Sequence, residues 1–140
     1  MKAVQKHRGI TTTAKAVKKV TGPELPAAAA EVEKLLDEAQ AKIELLGVEK
    51  LLADLKMIRS EWAGLRTKVA QLSAKESLEH HSIIVSYILD LLDEISNLSG
   101  LALDPSAESY RLIETGMNLL PRMTEDSALA RGAGMIDRRG

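Results

Sequence analysis

The sequence predicts an all-α protein, an antiparallel up-down helical bundle resembling a four-helix bundle, and three observations lead there. The chain has 140 residues, no Phe, one Trp (Trp62) and two Tyr (Tyr87, Tyr110), so Leu, Ile, Val, Ala and Met must fill the core. It is rich in Leu, Ala, Glu and Lys, which lose little freedom in a helix, whereas sheets draw on aromatic and β-branched residues. Apolar residues also recur at alternating steps of three and four, and helix-start and helix-stop signals fall between the periodic runs.

Five helical segments are expected, at 3–20, 23–46, 48–72, 74–98 and 105–137, in one domain covering 1–140, with one kinked helix as the alternative for the first two. Segment one has helical composition but a thin apolar stripe, with Arg8, Thr11, Thr12 and Lys15 on one face and Ile10, Ala14, Val17 and Thr21 on another. Segment two opens at Thr21-Gly22-Pro23, where proline costs little because its missing amide hydrogen would have no partner. Its stripe is Leu25, Ala28, Val32, Leu35, Ala39, Ile43 and Leu46, and Gly47 is placed to close it as a C-terminal cap. Segment three carries a heptad seam: Val48, Leu51, Leu55, Ile58, Trp62, Leu65, Val69 and Leu72. Such spacing keeps a narrow stripe against neighbours crossing at a shallow angle.

Ser73-Ala74-Lys75-Glu76 reads as a capping box, with hydroxyl and carboxylate each meeting a free helix-start amide. Segment four follows with its own seam, Leu78, His81, Val85, Ile88, Leu92 and Ile95. Gly100 then loosens its end, Asp104 caps segment five and Pro105 occupies the first turn, with Tyr110, Ile113, Met117 and Leu120 inward. Pro121 is expected to bend that helix by removing one backbone hydrogen bond. Short connections imply antiparallel neighbours. On this reading the middle segments form the bundle by themselves, and segment one and the end of segment five project beyond it. The chain then reads as an excised piece of something longer.

Net charge is −1, but its distribution is uneven. Residues 1–23 hold six Lys or Arg and no acid, residues 24–121 hold nine against seventeen acids, and residues 122–140 hold four against three. A cationic end on an acidic body suits phosphate headgroups, nucleic acid or a small anion, and equally a solvated helix end. Nucleic acid is disfavoured, because the basic segment has no aromatic residue to stack on a base and no recognised motif. Absence of cysteine removes disulfides, Cys-zinc sites and thiol catalysis. There is no run of 18 apolar residues to span a membrane. A Gly-rich phosphate loop, a Gly-x-Ser-x-Gly elbow and a paired-histidine zinc motif are also missing, so no enzyme is expected.

Gln5-Lys6-His7-Arg8-Gly9 near a helical N-terminus, and Ser99-Gly-Leu-Ala-Leu-Asp-Pro105 followed by Ser109-Tyr110 and Leu119-Leu-Pro121, resemble extracytoplasmic sensor regions of bacterial methyl-accepting chemotaxis proteins. Related regions precede histidine-kinase and diguanylate-cyclase modules, and a nitrate- and nitrite-sensing relative uses arginines in a helical bundle. The family's second tyrosine after Tyr110 is Arg111 here. The resemblance implies a periplasmic region held between transmembrane helices that this chain does not contain, dimeric in the intact receptor. It implies a small-molecule ligand, with a helix displacement passed inward, and the basic face of segment one makes an anion the expected ligand. The alternatives are a sensor for a histidine kinase or cyclase, or a scaffold that binds a protein through its heptad faces.

Arg8 is the first candidate ligand contact, because a guanidinium offers a planar fork to carboxylate or nitrate. Thr11 and Thr12 add hydroxyls one turn later, Lys15 extends the face, and Arg131 is expected to return beside it. The competing reading of Arg8 is a bundle salt bridge or a solvated helix end. If Arg8 holds the ligand, Arg8→Ala should abolish anion binding and leave the melting temperature unchanged. His80 and His81 raise a metal, but adjacent helical residues point about 100° apart and do not share one ion. His81, on the seam, reads as a hydrogen-bonded core histidine that makes packing pH-sensitive, and His81→Leu should melt no lower. Asp90, Asp93 and Glu94 read as a solvated face, and Met57, Met117, Met123 and Met135 as packing residues. No cofactor or metal is expected.

Overall fold

The computed structural model describes residues 1–16, 22–98 and 119–137. These form five helices and, among the described residues, no strand: α1 (Lys2–Ala16), α2 (Glu24–Leu46), α3 (Glu49–Lys68), α4 (Ala74–Leu98) and α5 (Leu120–Asp137). α1 packs on α2, α2 on α3, α3 on α4 and α4 back on α1, closing a four-helix ring. α5 lies over the seam between α1 and α4. It runs antiparallel to α4, since Arg122 near its start reaches Asp93 while Gly132 stands over Leu78.

Two of the expected boundary signals are in place, while Pro23 stands just before α2 instead of in its first turn. Gly47 adopts a left-handed conformation (φ 66°) and its N–H donates to the Glu44 carbonyl, ending α2. At the start of α4, Ser73 N–H donates to Glu76 Oε2 at 2.8 Å and Glu76 N–H donates to Ser73 Oγ at 3.2 Å, which completes the capping box. α3 stops at Lys68, four residues before the expected end; Val69 and Leu72 pack against the core from the turn that follows. The rest of segment one after Ala16, and segment five before Leu119 with Asp104, Pro105, Tyr110, Ile113 and Met117, lie outside the described residues. So does the stretch on which the bend at Pro121 depends.

The α3 seam is the clearest success of periodicity. Leu51, Leu55, Ile58, Trp62 and Leu65 are all buried, and each large aliphatic side chain removed from water contributes about 1.5 to 3 kcal/mol. On α2 the buried line is Ala28, Ala29, Val32, Leu36 and Ile43, while Leu35 and Leu46, expected inside, are 44% and 59% exposed. Met57 and Met123, expected to pack, are likewise exposed.

The main correction concerns α1. It was expected to project beyond a bundle made by the other segments, yet it is one of the four bundle helices and touches α2, α4 and α5. Its buried line is Ala3, Val4, His7, Arg8, Thr11 and Thr12, recurring at steps of one and three along one helix face. From His7 onward that face is polar, so a search for apolar periodicity passes over it. Ala3 and Val4 join the aliphatic core, whereas from His7 onward α1 is held by directional bonds rather than by apolar area.

A buried polar layer and its cleft

Two turns into α1, side chains from four helices meet in a buried polar layer. His7 Nδ1 lies 2.8 Å from His81 Nε2, and His81 Nδ1 lies 2.6 Å from the Ser77 carbonyl oxygen one turn earlier. A carbonyl only accepts, which assigns the His81 proton to Nδ1 and makes Nε2 an acceptor for the His7 Nδ1–H. Both rings are neutral in this arrangement. Trp62 from α3 meets the His7 ring edge-on, with centroids 4.9 Å apart and planes at 78°.

Burial disfavours the charged form of each imidazole. It pulls His81 down to about 3, against the Ser77 carbonyl, which favours the protonated ring; His7, Arg8 and His80 add repulsion. His7 falls to about 4, through burial first and then the Arg66 charge. Protonating both rings would set two N–H groups against each other across the 2.8 Å contact, and burial disfavours even one added charge, so the pair is suited to the neutral state.

Beside the histidines, Arg8 makes a fork with Glu125 of α5: Nη1 donates to Oε1 at 2.5 Å and Nη2 to Oε2 at 3.0 Å. Gln5 Nε2 donates to the same carboxylate at 2.8 Å, and Arg8 Nη1 also donates to Ser82 Oγ of α4 at 3.2 Å. Both ionic side chains are buried, at 3% and 8% exposure. A pair this far from water is stabilising only with good geometry and further hydrogen bonds, and it has both. The single guanidinium therefore ties α1 to α4 and α5 together.

A cleft of about 350 Å³ opens next to this clamp, between α1, α4 and α5, lined by Lys6, Arg8, Thr12, Leu78, Thr124 and Arg131 among others. Thr12 lines it with a hydroxyl that is buried and, among the described residues, has no hydrogen-bond partner. Room for the cleft comes partly from Gly132, where a Cβ would come within 2.9 Å of Leu78 Cδ1.

Of the five candidate ligand contacts, the structure brings three to this cleft: Arg8, Thr12 and Arg131. The other two serve the fold. Thr11 Oγ1 donates to the His7 carbonyl at 2.8 Å inside the bundle. Lys15 Nζ donates to the carbonyls of Leu72 at 2.5 Å and Ala70 at 3.3 Å, satisfying acceptors just past the end of α3. Arg8 itself is a buried salt bridge as well as a cleft residue, which overturns the expectation that Arg8→Ala leaves the melting temperature unchanged. His81 is the hydrogen-bonded core histidine that its seam position predicted. His7, Gln5, Ser82 and Glu125 were missed, although the line 3, 4, 7, 8, 11, 12 signals a buried face once polar residues are admitted to it. Among the described residues, no three His, Cys, Asp or Glu side chains could hold a metal ion together. Asp93 pairs with Arg122 and Glu94 with Lys50, so that acidic face is partly neutralised.

In comparison with known proteins, the chain matches no family model, no curated sequence and no solved structure. Among the described residues, no helix is long and apolar enough to cross a membrane.

Proposed function

We propose that this chain is the ligand-binding region of a bacterial transmembrane chemoreceptor, taking a small anion in the cleft between α1, α4 and α5. The observation that carries this reading is the cleft itself. Three cationic side chains line it, Arg131 together with Lys6 and Arg8, which also pair with Glu31 and Glu125, and with them stands the Thr12 hydroxyl, unpartnered among the described residues. Carboxylate and nitrate offer several acceptor oxygens to such donors, and an unpaired buried hydroxyl gains most from a new partner.

The working step is physical rather than chemical. Glu125 already holds Arg8, so an anion entering beside it adds acceptors to the guanidinium that joins α1 to α5. It favours whichever packing of these two helices seats it best, and the helices carry that bias along their length. A coupling of about 1 to 3 kcal/mol is enough for a useful response. Localisation in the periplasm, flanking transmembrane helices and a receptor dimer belong to the same proposal and rest on the sequence resemblance.

A thermal-shift screen against nitrate, nitrite, dicarboxylates, citrate and amino acids, followed by calorimetry on any hit, tests this. A saturable stabilisation by one anion class is expected. Arg131→Ala, which removes an exposed side chain outside the clamp, should weaken that binding at least tenfold without changing the melt. Unchanged affinity in Arg131→Ala would remove the cleft as the site, and no saturable anion for this chain or a longer one would overturn the sensor reading.

A further inference from the structure

At the N-terminal end of α1 lies a second hollow of about 350 Å³, lined by α1, α2, α3 and α4 and almost wholly apolar. Its wall includes the buried Val4, Val32, Leu36, Ile43, Ile58 and Leu91. Its rim includes the exposed Leu35, Lys42 and Leu46, all on α2. Space remains because α1 presents Ala3 and Val4 here and α2 presents Ala39, all small, while Leu35 and Leu46 border the opening instead of filling it. Protein interiors ordinarily leave few voids larger than a water molecule, and an apolar hollow of this size is the range in which small-molecule sites occur.

Charge says what kind of molecule. α2 carries acids at Glu24, Glu31, Glu33, Asp37, Glu38 and Glu44, yet among the described residues the one charged side chain that lines the hollow is a cation, Lys42, and the Met1 amino group, whose pKa burial lowers, adds no acid. Among the described residues Lys42 has no ion-pair partner; its neighbour one turn back, Glu38, is taken by Lys34. An isologous contact with a second copy would centre the same rim on itself and bring two Lys42 ammonium groups toward each other. The geometry points to a single-chain anionic amphiphile: we propose that the hollow binds an unbranched alkyl carboxylate, its chain among Val4, Val32, Ile43, Ile58 and Leu91 and its head group at Lys42. This site is separate from the anion cleft and does not depend on it.

The test is calorimetry of the intact chain with octanoate, decanoate and dodecanoate, each below its micelle concentration. One saturable site is expected, with the dissociation constant falling roughly fourfold per added methylene (~0.8 kcal/mol) until the hollow is full. Lys42→Gln should weaken decanoate about two- to fivefold and leave 1-decanol unchanged, as an exposed ion pair requires. Ala39→Phe, which fills the hollow from one wall, should weaken both ligands at least tenfold; Ala39→Leu gives the same direction should the larger ring disturb folding. No saturable binding, affinity indifferent to chain length, or decanoate affinity unchanged by both Ala39 variants would overturn the proposal. So would a dimer in gel filtration that decanoate fails to dissociate and that Leu46→Glu disperses, because the rim would then be covered by a second copy.

Discussion

Two successive turns of α1 sit in different media, and they are held in different ways. Over its first turn Ala3 and Val4 press into an aliphatic core so loosely filled that a hollow of about 350 Å³ remains beside them. One turn later His7 and Arg8 enter a layer in which His7 meets His81 across 2.8 Å and Arg8 is forked onto Glu125 at 2.5 and 3.0 Å. Apolar contact is non-directional, so the first region keeps its fold with imperfect complementarity. The polar layer has no such latitude: each donor needs its own acceptor, and a missing partner leaves a buried group unpaired. The contrast predicts that substitutions in the layer cost more, atom for atom, than substitutions around the hollow.

The largest effect should come from breaking the Arg8–Glu125 fork. Arg8→Met or Glu125→Leu alone leaves a buried charge without its partner, which costs about 3 to 5 kcal/mol. The double variant removes both charges and should recover at least half of that loss. Urea unfolding followed by far-ultraviolet circular dichroism measures all three. Additive losses in the double variant would mean that the two side chains are not coupled, and that the layer is held by the histidines alone.

Next in size is the histidine pair, which makes stability depend on pH. Both folded imidazoles sit below the ordinary value, His7 at about 4 and His81 at about 3, so in acid the unfolded chain binds protons that the folded chain refuses. Their contribution is complete above about pH 6.5 and is lost as the pH falls toward the folded values. The slope is at most about 1.4 kcal/mol per pH unit for each ring, less after screening by nearby solvent. Melting temperatures should therefore drop from pH 7 to pH 5, and His7→Phe/His81→Leu should flatten that part of the curve. An equally steep curve in the double variant would assign the dependence to carboxylates instead. At neutral pH, His81→Leu alone should cost about 1 to 3 kcal/mol, because it strands the His7 Nδ1–H. That reverses the expectation from seam position alone, in which leucine would do as well.

The α3 seam, the capping box at Ser73–Glu76 and the stop at Gly47 could be read from residue order because each is local: a period or a pair of residues one turn apart carries the whole signal. α1 was misplaced for a physical reason. From His7 onward its buried face is polar, and whether His7 and Arg8 are inside depends on partners 74 and 117 positions away that no local window contains. The same reason divides the candidate site. Arg8, Thr12 and Arg131 were singled out for their chemistry and do meet at one cleft, while Thr11 and Lys15, chosen by the same criterion, are taken up by backbone carbonyls. Residue type indicates what a side chain is able to bind, whereas topology decides what reaches it first.

The smallest effect tests the aliphatic end and completes the contrast. Ala39 is half-buried on α2 and faces the hollow, so Ala39→Leu adds methyl groups where space already exists. Filling a natural cavity of this kind commonly raises stability by about 0.5 to 2 kcal/mol. The lower part of that range is expected here, since Leu35 and Lys42 leave the hollow open to solvent on one side. The opposite change, Ile58→Val, should cost about 0.5 to 1.5 kcal/mol, because Ile58 is 1% exposed and packs on the closed side. Measured in urea at pH 7, the two values should bracket the parent and remain well below the loss from Glu125→Leu. A destabilisation by Ala39→Leu as large as that from breaking the fork would mean that the aliphatic end is as closely specified as the polar layer. The division of α1 into a tolerant turn and an intolerant one would then be wrong.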